Sequence, residues 1–108
     1  MELAEQKCQA CEGGTPALSD GEIAKLMPQV AGWDRFDKII SRTYKFSNFV
    51  EAMDFANKIT KIAEKENHHP DLHISWGKVT VDLSTHKVDG LSINDFVLAA
   101  KINAIPVV

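Results

Sequence analysis

Glu64, His68, His69, Trp76, His86 and Asp95 place three histidines, two acids and a tryptophan within one short stretch of the chain. Imidazole is the side chain whose ordinary pKa suits proton transfer near neutrality, so histidines gathered in one place could do acid–base work. Taken singly, each could as well be a solvated or hydrogen-bonded surface residue. The gathering depends on a hairpin. Leu72, Ile74, Trp76 and then Val79, Val81, Leu83 alternate with polar residues, the period of two half-buried strands. With Gly77-Lys78 as a two-residue loop, Trp76 pairs with Val79, Ile74 with Val81, Leu72 with Leu83 and His69 with His86. Opposed residues have Cβ atoms about 4.5 to 5.5 Å apart. His68 is next in sequence, so this register lines one pocket with all three imidazoles, and Pro70 can bend the strand and shift it by a residue. Thr80, Asp82, Ser84 and, by parity, His86 point away from the apolar side, where a ligand can reach them.

A metal is not expected. His69 and His73 have the i, i+4 spacing of a helical zinc pair, but Pro70 and the alternation that follows argue for a strand. On a strand the two would stand about 13 Å apart. Cys8 and Cys11 form one CxxC with neither a second pair nor a βαβ context. They read as two thiols in the tail of a reduced, cytoplasmic protein.

The elements that must position these residues can be placed from their caps. Ser19-Asp20-Gly21-Glu22 reads as a capping box opening a short helix that Pro28 closes, and Ser92-Ile93-Asn94-Asp95 as another opening the last helix, which ends before Pro106. Capping is a sufficient reason for the acid at Asp95, and a role behind the residues that meet substrate stays open beside it. Asn48 can cap a long helix with an apolar stripe of Phe49, Met53, Ala56, Ile59, Ile62 and Ala63 and a solvated side of Asp54, Lys58, Lys61 and Lys65. A first hairpin, about residues 33 to 46, turns near Asp37-Lys38. Trp76 reads as core, and Trp33 as either a core plug or the wall of a pocket. The order α-β-β-α-β-β-α implies an α+β fold, a four-stranded antiparallel sheet with helices packed on one face.

Length and composition allow one domain with a modest core: residues 18–108, preceded by a polar, Gly-containing, flexible tail, 1–17. A net charge of -3 without a basic cluster argues against direct nucleic-acid binding. The sequence has neither an apolar run near membrane-spanning length nor a signal-peptide pattern, so no membrane is expected and the cytoplasm is the default location. Ile93, Phe96, Val97, Leu98, Ala100, Ile102, Ala104 and Ile105 surround the last helix, more apolar surface than one small domain is expected to bury. A homo-oligomer through this helix, an open sheet edge or both is therefore expected.

The spacing Glu64, three residues, His68-His69-Pro70, five residues, Trp76, nine residues, His86, eight residues, Asp95 resembles the signature of the pterin-4a-carbinolamine dehydratases, also known as dimerisation cofactors of a homeodomain transcription factor. Gly32-Trp33, Phe46-Ser47-Asn48-Phe49 and Leu83-Ser84-Thr85-His86 extend the resemblance, which covers about residues 19 to 105 and leaves out the bacterial-looking tail. It implies the same element order, a homodimer or homotetramer, and dehydration of a 4a-hydroxytetrahydropterin to the quinonoid dihydropterin, without metal or other cofactor. Hydroxide leaves poorly, so the C4a oxygen needs a proton while the N5 proton is removed, and imidazoles can do both. The roles implied are His68 and His86 as principal acid and base, His69 orienting or binding the pterin, and Glu64 accepting a hydrogen bond from the ring or a histidine. Asn67, Ser84, Thr85, Lys87 and Trp33 would contact substrate. Asn67 stands where the family often has an acid, which puts any contact needing a carboxylate there in doubt. The resemblance also leaves open an interaction module, acting as a transcriptional coactivator or a partner of an aromatic amino acid hydroxylase, and a divergent pterin protein of molybdopterin metabolism.

Overall fold

The computed structural model describes residues 2–8 and 16–106. Helix α1 (Asp20–Leu26) opens at the expected capping box: Ser19 Oγ accepts from the Glu22 N–H, and the Glu22 carboxylate accepts from the Ser19 N–H. A 3-10 turn, Met27–Gln29, follows, with Pro28 where a missing N–H is tolerated. Strands β1 (Asp34–Phe36) and β2 (Ile39–Lys45) meet at Asp37-Lys38, where Asp37 takes the left-handed conformation open to aspartate. Asn48 caps α2 (Phe49–Glu66), its Oδ1 accepting from the Glu51 N–H. Strands β3 (Asp71–Ser75) and β4 (Lys78–Leu83) form the second hairpin, and α3 (Ile93–Asn103) opens at the second capping box.

The four strands are antiparallel in the order β1-β2-β4-β3, which leaves β1 and β3 at the edges. One sheet face contributes Ile40, Val79, Val81 and Leu83 to the core that α2 and α3 complete. The other face is polar, with Ser41 Oγ donating to Asp82 Oδ1 at 2.6 Å and Thr43 and Thr80 joined by their hydroxyls. The expected α+β layout with helices on one face is the observed one.

The β3–β4 register differs from expectation. Its loop is Trp76-Gly77, and the pairs are Ile74 with Val79, Leu72 with Val81 and His73 with Thr80. The pairing is set from outside the hairpin: β4 pairs with β2 through Lys45 and Lys78, and the Phe46 N–H continues that ladder onto the Gly77 carbonyl at 2.8 Å. A Cβ on residue 77 would lie 3.0 Å from the Phe46 carbonyl oxygen, which suits glycine there. Consequently Trp76 is not core but a turn residue, 69% exposed.

Two apolar surfaces also depart from expectation. The buried side of α2 is Ala52, Phe55, Ala56, Ile59 and Ala63, while Phe49 is exposed and Met53 and Ile62 are half-buried. The helix is rotated so that Phe55 meets Tyr44 and Phe46, ring centroids 4.6 and 5.1 Å apart. Helix α3 buries Phe96, Val97, Leu98, Ala99 and Ile102 within the single chain. Part of its cover is the stretch read as a flexible tail. Leu3 and its 3-10 turn, Leu3–Glu5, lie against α3, Lys101 Nζ donates to the Ala4 carbonyl, and the half-buried Cys8 donates its N–H to Glu66 and its Sγ–H to the Asn94 carbonyl. Cys11 lies outside the described residues.

Candidate functional site

The C-terminal end of α2 sets the two adjacent histidines. Asn67 takes the left-handed conformation (φ 53°) that stops the helix, a position asparagine tolerates better than most residues. The chain doubles back, and the Asn67 and His68 N–H groups both donate to the Ala63 carbonyl. Pro70 then rules out further helix, and β3 begins at Asp71. The reversal sends His69 over the last turns of α2, where its Nε2 lies 2.5 Å from Glu64 Oε2 on an exposed surface. His68 turns inward, its side chain 12% exposed, with Nε2 2.7 Å from Asp95 Oδ1.

Asp95 is wholly buried at the start of α3. Its Oδ2 accepts the Ser92 N–H at 2.9 Å, which completes the capping box, and the Thr85 hydroxyl at 2.8 Å. Thr85 Oγ1 is also 2.8 Å from Ser92 Oγ, which in turn accepts the Asn94 N–H. Capping and support of a histidine are therefore both performed by one carboxylate, one oxygen for each.

His86 follows Thr85 directly and begins a 3-10 turn, His86–Val88, that ends at left-handed Asp89. The turn is held at its base by the Thr85 N–H on the Gly90 carbonyl at 2.8 Å, and at its tip by Lys38 Nζ on Asp89 Oδ2 at 2.8 Å. That exposed ion pair holds the Lys38 ammonium above and the Asp89 carboxyl below their ordinary ranges, by hydrogen bond first and charge second. His86 is thus an exposed turn residue, not the cross-strand partner of His69. His86 is linked instead to His68, through one carboxylate: Asp95 holds His68 by one oxygen and Thr85, the residue before His86, by the other.

Direct hydrogen bonds join His68, Asp95 and Thr85 in one group and Glu64 and His69 in another, the two groups adjoining at His68-His69, and Asn67, Ser84, His86 and Lys87 are their sequence neighbours. Asn67, His86 and Lys87 are exposed and Ser84 half-buried, whereas Thr85 is buried with its hydroxyl and backbone engaged inside the protein. Trp33 lies elsewhere. It is a core residue, 4% exposed, whose indole N–H donates to Asn103 Oδ1, eight residues and about 12 Å along α3 from Asp95. Arg42 and the Tyr44 hydroxyl donate to the same oxygen, and burial pushes the Tyr44 phenol up from its ordinary value. His73 also stands apart, on the polar sheet face, 3.2 Å from Asp82.

The link from Thr85 and Ser92 to His68 was not foreseen from sequence. Ser92 announced itself as a cap, but its meeting with Thr85 depends on how α3 docks beside the end of β4. No group of three or more potential metal ligands occurs among the described residues, and no helix among them is long and apolar enough to cross a membrane.

An antiparallel sheet with helices on one face, carrying histidines hydrogen-bonded to carboxylates at the helix ends, defines a small α+β domain with a histidine–carboxylate cluster. Residues 16–105 match the family model described as pterin 4 alpha carbinolamine dehydratase. A relative from Rickettsia canadensis (strain McKiel), provisionally named a pterin-4-alpha-carbinolamine dehydratase, is 51% identical over 104 residues, covering 94% of this chain and 95% of its own. A relative of the same provisional name from Rubrobacter xylanophilus is 45% identical over 103 residues, 94% of this chain and 96% of its own. The chain belongs to the pterin-4a-carbinolamine dehydratase family, a family of hydro-lyases. Among solved structures it is similar to a transcriptional coactivator/pterin dehydratase from Brucella melitensis, with a TM-score of 0.78 and 31% identity over 82% of this chain and 96% of that one. A pterin dehydratase-like RuBisCO assembly factor of the alpha-carboxysome shares the fold at a TM-score of 0.55 and 14% identity, over 67% of this chain and 83% of that one.

Proposed function

We propose that this protein dehydrates 4a-hydroxytetrahydropterin to the quinonoid dihydropterin by histidine acid–base catalysis. The reading rests on one observation: the Asp95 carboxylate ties His68 to the residue preceding His86, so the two histidines sit on a common rigid support. In the proposed reaction one imidazolium protonates the C4a hydroxyl, which leaves as water. A neutral imidazole takes the N5 proton, and the electron pair of that N–H bond closes the C4a–N5 double bond. His68 and His86 share these two roles. His69, held by Glu64, binds or orients the ring together with Asn67, Ser84 and Lys87. The product would feed tetrahydropterin recycling for an aromatic amino acid hydroxylase in the cytoplasm.

The active form is proposed to be a homodimer or homotetramer. Because α3 is covered within the chain, the surfaces that favour self-association are the open edges β1 and β3 and the exposed apolar Phe49, Val50 and Trp76. Sedimentation showing only monomer at micromolar concentration would remove this part.

The test of the activity is the rate of quinonoid formation from freshly generated 4a-hydroxytetrahydropterin, with and without protein. Acceleration by the wild type, and its loss in His86→Ala and His68→Ala, is the expected result. Near-full activity in both variants would refute the histidine assignment, and no acceleration by the folded wild type would refute the dehydratase.

A further inference from the structure

The hydrogen bonds around Asp95 have only one consistent direction. A carboxylate has no proton to give, so every partner of Asp95 donates to it. Thr85 therefore gives its single hydroxyl proton to Oδ2, and the contact between Thr85 Oγ1 and Ser92 Oγ is filled by the Ser92 proton. Ser92 Oγ keeps its acceptor side for the Asn94 N–H. With Oδ2 already taking the Ser92 N–H and the Thr85 O–H, Oδ1 is left for His68, whose Nε2 must carry a proton. Every bond is then satisfied and the donors converge on Asp95, Ser92 through Thr85 on one oxygen and His68 on the other.

The other ring nitrogen follows. Among the described residues Nδ1 of His68 makes no hydrogen bond and no buried polar side-chain atom lacks a partner. Nδ1 therefore lies at the accessible surface of the site. On these grounds we propose that Thr85 is a positioning residue which, through Asp95, locks neutral His68 as the Nε2–H tautomer and presents Nδ1 as the nitrogen that exchanges a proton with the substrate. The part about substrate rests on the dehydratase reading, whereas the tautomer does not.

The assignment explains why Thr85 is buried at the foot of the His86 turn, where neither its hydroxyl nor its backbone is left for a ligand. Valine at this position keeps the shape and deletes the proton donor. Asp95 then loses one of the two bonds that orient its outer oxygen, and the preference for one His68 tautomer weakens.

Long-range proton–nitrogen NMR spectra of the uniformly 15N-labelled full chain, above the histidine titration range, read the tautomer directly. The four histidines are assigned by single His→Gln variants. Wild-type His68 is expected to show a protonated Nε2 and a bare Nδ1. In Thr85→Val the two shifts should move towards each other and kcat should fall about 10-fold at little-changed KM, the lower end of the effect of removing the hydrogen-bond support behind a metal-bound histidine. Thr85→Ser should restore both. If Thr85→Val does not fold, Thr85→Ala, which has no added bulk to accommodate, carries the same expectations. A protonated Nδ1 in the wild type would overturn the proposal, as would unchanged shifts and kcat in the folded variant. Failure of the dehydratase reading would show separately, as a wild-type protein without turnover whose His68 still carries its proton on Nε2.

Discussion

Replacing Asp95 by asparagine should separate folding from catalysis. The amide has the shape of the carboxylate, and its oxygen can take over the Ser92 N–H and Thr85 O–H that Asp95 Oδ2 now receives. That leaves an NH2 facing His68 Nε2 in place of Oδ1. An NH2 only donates, so His68 must accept at Nε2 and carry its proton on Nδ1, the reverse of the wild-type arrangement. Recovering the working tautomer would set two N–H groups against each other, one hydrogen bond lost and one buried donor stranded. Together these cost about 3 kcal/mol, roughly 100-fold in kcat at about 1.36 kcal/mol per factor of ten. Because the number of hydrogen bonds is kept, unfolding free energy should change by less than about 1 kcal/mol. Asp95→Ala strands three donors instead and should lose about 3 kcal/mol or more. With a urea slope of about 1–3 kcal/mol/M, the alanine midpoint falls by about 1–3 M and the asparagine midpoint hardly moves. Stopped-flow absorbance of the quinonoid product and urea unfolding followed by circular dichroism measure the two quantities. An asparagine variant with wild-type kcat, or one as unstable as the alanine variant, would refute the reasoning.

Three further outcomes test the surrounding structure. Of the two tryptophans, Trp33 is buried and Trp76 exposed, so Trp76→Phe should leave a blue-shifted emission and a stability within about 0.5 kcal/mol of wild type; a red-shifted remainder would contradict the observed β3–β4 turn. Leu3→Ala should cost about 2 kcal/mol in urea unfolding if the N-terminal segment covers α3 as described, and an unchanged midpoint would mean that it does not. The single tyrosine, Tyr44, has its phenol raised above 10.0 by burial, partly opposed by the Arg42 charge. The stability it contributes is present below the ordinary tyrosine pKa and is lost as pH rises through the raised, folded value. Phenolate absorbance in an alkaline titration should therefore reach its midpoint above 10.0, and a midpoint at or below that value would refute the burial effect.

Where the governing interaction is local, this sequence was sufficient. Both capping boxes, the Asn48 cap and the Asp37-Lys38 turn each join residues a few positions apart, and each appears where its spacing places it. The element order follows from them, and so does the sheet face taken by Val79, Val81 and Leu83, because strand side chains alternate with a period of two. That period is also why the hairpin register was illegible. Moving the loop from Gly77-Lys78 to Trp76-Gly77 keeps every side chain on its face, so Ile74 is matched as well by Val79 as by Val81. Only the pairing of β4 with β2, and the Phe46 N–H on the Gly77 carbonyl, select between the two. Part of the cover over α3 likewise comes from Leu3, nearly the whole chain away, on a turn with no periodic pattern to announce it. The site divides in the same way. Residue type and spacing marked His68, His69, His86, Glu64 and Asp95, but the partner of each histidine was a tertiary matter. Left-handed Asn67 turns His68 towards α3 and His69 back over Glu64, and the docking of α3 beside the end of β4 brings Thr85 and His68 to opposite oxygens of Asp95. A hydrogen bond is decided within a few tenths of an ångström, and between elements far apart in sequence that distance is set only when the core packs.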